Sequence, residues 1–141
     1  MATTRNANTH WEGTLFEGSG TVELASSGRG TFDVTWAART EEANGKTSPE
    51  ELIAAAHSSC YSMQLSNTLA KAGTPPTSLD TTAAVTFQVG EGITGIALNV
   101  RANVPGISAE DFEVAAQDAK VNCPVSKALA ATAISLDAAL V

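Results

Sequence analysis

The sequence predicts an α+β domain of order βββα–ββ–αα–β, with a long central helix packed on antiparallel sheets. The helical evidence is one stretch, SPEELIAAAHSSCYSMQLSNTLAKAG, with a start signal at one end and a stop signal at the other. Strand evidence comes from period-2 alternation in TFDVTWA and LDTTAAVTFQV, where apolar and polar residues take turns. The strands also cluster before and after the long helix instead of alternating with helices, which separates this order from a βαβ series.

Each element follows from local chemistry. THWEGTLF and GTVELAS, joined through Glu17–Gly20, are expected to form a hairpin, and GRG then leads into TFDVTWA. There Phe32, Val34 and Trp36 share one face of a third strand, and RTEEANGKT is a polar loop. Ser48 as N-cap, Pro49 at N1 and Glu51 at N3 make a capping box, while Gly73 followed by Pro75 and Pro76 closes the helix. A helix of about 24 residues is twice the usual length. Residues 54–59 are all small except His57, which lets another helix come close. LDTTAAVTFQV and GIALNVRANV, with GEG between them, form a second hairpin; Val85, Phe87 and Val89 share one face, as do Ile96, Leu98, Val100 and Val104. Ser108–Asp111 opens a helix through Val121, Cys123–Pro124 starts a short one in PVSKALAA, and AISLDAALV is a closing strand.

The whole chain, 1–141, is expected to be a single domain, because 141 residues suffice to bury one core. No apolar run is long enough to span a membrane, and MATTRNANTHWEG lacks a signal-peptide core, so the expected location is cytoplasmic with no membrane partner. A net charge of −7 with eight scattered basic residues argues against nucleic acid. In a reducing compartment, two cysteines are more often redox-active or metal-binding than a permanent staple.

Cys60 and Cys123 therefore carry the functional question. Buried, inert thiols are one answer, since free cysteine behaves as a small hydrophobe. Against that, Cys123 sits before Pro124 at a helix start, where unpaired N–H groups and the dipole favour a thiolate. Cys60 lies about 12 residues into its helix, beyond the reach of that helix's own dipole, so as a nucleophile it needs a cation, for which arginine is the natural choice. His57 and Cys60 share a helix face and could begin a metal site, but two cysteines, two histidines and no CxxC fall short of a structural zinc set. His57 is then expected to pack against another helix with a satisfied ring nitrogen. Trp11 and Trp36 are expected in the core, and Tyr61, Phe87 and Phe112 either in the core or on a pocket wall.

SPEELIAAAHSSCYSM followed by NCPVSKAL resembles the OsmC/Ohr family, the osmotically inducible protein C and organic hydroperoxide resistance proteins. HWEGTL, PTSLDTTA and VPGIS extend the similarity along nearly the whole chain and resemble the OsmC branch. The resemblance implies a thiol peroxidase that uses no metal, haem or flavin and acts in oxidative or osmotic stress. It implies that Cys60 is the peroxidatic cysteine, Cys123 the resolving cysteine, and Arg39 and Glu50 their supporting pair. The OsmC branch carries its arginine shortly before the long helix, which matches Arg39, and no arginine lies between Arg5 and Arg29, where the Ohr branch would have it. Implied as well are an organic hydroperoxide substrate, a Cys60–Cys123 disulfide, recycling by a dithiol reductant of lipoyl type, and an intertwined homodimer.

The dimer also follows from geometry. Glu50 and Cys60 are ten residues apart; in one continuous helix that is a rise of about 15 Å and a turn of about 280°. An antiparallel copy of the helix would bring the partner subunit's Glu50 alongside Cys60, so a two-fold dimer with active sites at its interface is expected. Two other functions compete with the peroxidase: a non-catalytic, stress-induced module that binds an apolar ligand at the dimer interface, and a purely structural stress protein.

Overall fold

Capping chemistry sets both ends of the longest helix. In the computed structural model, which describes all residues Met1–Val141, helix α2 runs Pro49–Lys71. The Ser48 hydroxyl accepts the Glu51 N–H at 3.2 Å, as a capping box requires. Glu51 does not complete the box, because its carboxylate takes the Thr47 hydroxyl instead. At the other end Gly73 has φ +86°, Thr74 N–H reaches the Leu69 carbonyl at 3.0 Å and Gly73 N–H reaches Ala70 at 3.1 Å. These are the two bonds of a Schellman motif.

The full order is β1 (Asn8–Glu12), β2 (Ser19–Glu23), β3 (Thr31–Val34), α1 (Trp36–Thr40), α2, β4 (Ser78–Gln88), β5 (Gly92–Asn103), α3 (Ala109–Asn122), α4 (Pro124–Ala128) and β6 (Ile134–Leu140). The α+β class and the βββα–ββ–αα–β frame hold, with α1 as an addition. The chain divides into two compact units, Met1–Leu52 and Ile53–Val141, and the division falls inside α2.

The N-terminal unit holds the antiparallel sheet β1-β2-β3. Strand β1 stops at Glu12, short of the expected Phe16, because Gly13 turns the chain at φ +85°. Leu15 and Phe16 therefore lie in the connection and are exposed. Strand β3 stops at Val34, and Trp36 is helical instead of third in an alternating strand. The cause is Thr35, whose Oγ1 accepts the Ala38 N–H at 3.1 Å and caps α1. Arg39 thus sits on a helix where a polar loop was expected. Trp11 is 38% exposed, contrary to its expected place in the core.

The C-terminal unit holds β4-β5-β6. β4 and β5 form the expected hairpin, with Ser78 opposite Asn103. β6 runs parallel to β5, Ile96 beside Ile134, so this sheet is mixed and not purely antiparallel. Return through α3 and α4 explains the direction, since a helical crossover delivers a strand parallel to the one before it. Tyr61, Leu65 and Leu69 from α2, Leu98 and Val100 from β5, and Phe112 from α3 close one buried core. Val85 and Phe87 share the half-buried face of β4 as expected, while Val89 lies beyond β4 and is exposed. No helix is long and apolar enough to cross a membrane.

Candidate active site

Two constellations stand out, one in each unit. In the C-terminal unit α2 carries Cys60 and the start of α4 carries Cys123. Ala119 accepts the Cys123 N–H at 2.9 Å, so α3 ends at the residue that begins α4. Pro124 at N1 prevents α3 from continuing. The two thiols are neighbours close enough to perturb one another, and neither is in a disulfide. Their accessibility differs: Cys60 is half-buried, Cys123 fully buried.

Burial pushes the Cys60 thiol above its ordinary range, the Val125 backbone N–H pulls it down, and the adjoining Cys123 thiol pushes it up again. Val125 is a neighbour of the Cys60 thiol that sequence reasoning missed. The dipole of α2 gives Cys60 no help, but the first turn of α4 does. A signal was present: proline at N1 has no N–H, so the first orphan donor of α4 belongs to Val125.

One turn before Cys60, His57 is fully buried, with Nε2 2.7 Å from the Ser126 hydroxyl. Its other ring nitrogen, Nδ1, is buried without a partner. The expected satisfied nitrogen is therefore one of two. Burial holds the imidazole below its ordinary value. Tyr61 and Phe112 are core residues; the Tyr61 hydroxyl donates to the Ala116 carbonyl at 3.1 Å and ties α2 to α3.

In the N-terminal unit Arg39 of α1 meets Glu50 in the first turn of α2. Arg39 Nη2 donates to Oε1 at 2.7 Å, and Nε lies 3.0 Å and 3.1 Å from the two carboxylate oxygens. Glu50 is buried and the Arg39 side chain is 27% exposed. This forked geometry fixes the plane of the guanidinium, which a lone loop arginine or a dipole-stabilising acid would not do. The Trp36 ring flanks it, its centroid 5.9 Å from Arg39 Cζ. Beside the pair lies a cavity of about 390 Å³ lined by Trp11, Leu15, Val22, Trp36 and Leu52, with Arg39 the one charged residue on its wall. The sequence alone did not reveal this cavity.

Residues 41–138 match the family model described as OsmC-like protein. The chain belongs to the OsmC-like family. It is 44% identical over 140 residues to peroxiredoxin OsmC of Escherichia coli strain K12, covering 97% of this chain and 96% of that protein. Identity and coverage are the same for peroxiredoxin OsmC of Shigella flexneri. Among solved structures, this OsmC-like chain is similar to an organic hydroperoxide resistance protein OsmC from Legionella pneumophila, with TM-score 0.74, 20% identity and coverage of 99% and 98% of the two chains. It is also similar to OhrB of Bacillus subtilis, with TM-score 0.68, 20% identity and coverage of 95% and 98%. These structures share the fold of the OsmC-like chain.

Proposed function

We propose that this OsmC-like protein reduces organic hydroperoxides to alcohols through a Cys60 sulfenic acid and a Cys60–Cys123 disulfide. Kinship at 44% identity to a peroxiredoxin makes it a peroxidase; the residue roles are our own reading. The observation that carries it is the adjacency of two reduced thiols of unequal exposure. The accessible Cys60 meets the peroxide. Its thiolate attacks the O–O bond, one oxygen stays on sulfur as sulfenic acid, and the other leaves with a proton as the alcohol. Cys123 then attacks the Cys60 sulfur; the sulfur–sulfur bond forms, the sulfur–oxygen bond breaks, and water departs with the Cys123 proton. Because Cys123 is fully buried, an external dithiol regains the thiols by attacking Cys60, with Cys123 leaving. A reductant of lipoyl type fits that exchange.

A thiol that burial pushes up needs a cation to act as a nucleophile near neutral pH. Arg39, oriented by Glu50, is that cation, and we assign it to the Cys60 of the other copy in a homodimer. Two features support the dimer. Glu50 and Cys60 lie on one unbroken helix, so about 15 Å of rise separates them. On α2, Ala55, Ala56, Ser59 and Met63 form an exposed stripe, and the Ser59 hydroxyl turns back to the Ala55 carbonyl at 2.8 Å. A second helix can approach such a surface closely. The apolar cavity beside Arg39 suits the hydrocarbon part of an organic hydroperoxide better than hydrogen peroxide.

One equivalent of cumene hydroperoxide, with hydrogen peroxide in parallel, tests the assignment. Rapid loss of two thiols per chain as a Cys60–Cys123 disulfide, faster with the organic peroxide, is expected. Slow or scattered oxidation would favour the apolar-ligand module, for which the same cavity is the specific observation.

A further inference from the structure

His57 and Ser126 take no part in the chemistry above, yet they form a buried polar contact beside it. The His57 ring is fully buried, its Nε2 is 2.7 Å from Ser126 Oγ, and its Nδ1 has no partner. Burying an imidazole with one nitrogen unmet is costly, and an apolar side chain would fill the space without that cost. The position of the pair is informative. His57 precedes Cys60 by one turn on α2, and Ser126 follows Cys123 by one turn on α4. His57–Ser126 and Cys60–Cys123 are therefore neighbouring rungs of one contact between the two helices.

Helix α4 has five residues, and its N-cap Cys123 makes no side-chain capping bond. Apolar burial alone is non-directional and fixes neither its rotation nor its axial position on α2. A hydrogen bond is directional. Disulfide closure needs that precision, because the sulfurs must come to about 2.0 Å with a narrow range of Cα separation.

We propose that the His57–Ser126 hydrogen bond positions the resolving cysteine: it pins α4 in register on α2, so that Cys123 faces Cys60 when the sulfenic acid has formed. The two residues act through the placement of Cys123 and are positioning residues. The inference rests on the peroxidase assignment and adds to it the control of one of its two chemical steps.

The test separates those steps in single turnover with one equivalent of cumene hydroperoxide. Peroxide consumption reports sulfenic acid formation, quenched mass spectrometry reports the disulfide, and dimedone traps the acid in between. Ser126→Ala deletes one oxygen. His57→Leu with Ser126→Ala replaces the pair by apolar groups and leaves no stranded imidazole. His57→Gln keeps a side-chain N–H near the position of Nε2. In Ser126→Ala and the double variant, peroxide consumption is expected to stay within about fivefold of the parent, while disulfide formation slows about tenfold to a hundredfold, the cost of a misplacement near 1 Å. Sulfenic acid then accumulates, and His57→Gln regains most of the closure rate. A thermal melt of the double variant close to the parent's, combined with slow closure, excludes a role in stability alone. Parent-like closure in the double variant, or equal slowing of both steps, would overturn the proposal while leaving the peroxidase assignment intact. If the parent itself forms no Cys60–Cys123 disulfide, the peroxidase assignment fails, and this inference with it.

Discussion

The two units of this chain solve different problems. Ile53–Val141 carries its own core: Tyr61, Leu65, Leu69, Leu98 and Val100 are all fully enclosed. Met1–Leu52 has Val22 as its one buried hydrophobic residue, while Phe16 is 75% exposed and Leu15 and Phe32 are also open. Yet this thinly packed unit holds the buried Glu50 and its forked bond to Arg39. The densely packed unit has the opposite character: it holds the thiols, and burial there works against thiolate formation. A core can place two sulfurs side by side, but desolvation penalises their charged form. In the proposed mechanism the compensating cation is Arg39, held where packing is light, and a second copy of the chain would supply the missing cover and bring that cation to the thiol.

The largest effect expected from breaking this division is at Cys60. Cys60→Ser should abolish turnover of cumene hydroperoxide while the thermal melt stays close to the parent's; residual steady-state turnover would reassign the nucleophile. Next come Arg39→Ala and Glu50→Gln. The first should lower kcat/KM by about a hundredfold, as for loss of an oriented electrostatic partner, and the second by less. Arg39→Ala should also move the pH profile of Cys60 alkylation upward, because burial, which pushes the thiol up, would act without the guanidinium. An unmoved profile would detach Arg39 from Cys60.

Stability should divide the other way. Leu65→Ala, in the C-terminal core, should cost about 2–5 kcal/mol in urea unfolding. If the proposed dimer covers the N-terminal unit, Phe16→Ser should change self-association, measured by sedimentation, more than it changes the unfolding of the chain. The smallest effect is a pH dependence at His57. Its folded value lies below the ordinary 6.5, so the unfolded chain binds a proton that the folded chain resists. Stability should therefore be complete above about pH 7 and decline as pH falls through the unfolded value. His57→Gln should flatten that decline in unfolding series at pH 7 and pH 5.

Local chemistry made much of this legible in advance. Ser48, Pro49 and Gly73 set the ends of α2, and Ser108 caps α3, because capping uses residues adjacent in sequence. Cys123–Pro124 marked the start of α4 for the same reason. The failures arose where two local signals competed or where distance mattered. Trp36 continues an alternating pattern, but Thr35 beside it caps a helix, and the cap prevailed. The parallel direction of β6 depends on the crossover before it, which alternation does not encode. Arg39, Glu50, Cys60 and Cys123 were all named from motifs. Val125 and Ser126 were not, since one meets Cys60 through its backbone and the other meets His57 across 69 residues of sequence.

Sharing of the active site between two copies is the central claim, and a mixed dimer tests it. Cys60→Ser chains, inactive alone, and Arg39→Ala chains, about a hundredfold weakened alone, are combined by unfolding and refolding together. If Arg39 serves the partner's thiol, each mixed dimer holds one intact site, and turnover should recover to about a quarter of the parent's under statistical mixing of two-fold pairs. If Arg39 serves the Cys60 of its own chain, every site in every dimer carries a defect. No recovery, with mixed dimers verified by mass, would contradict the account.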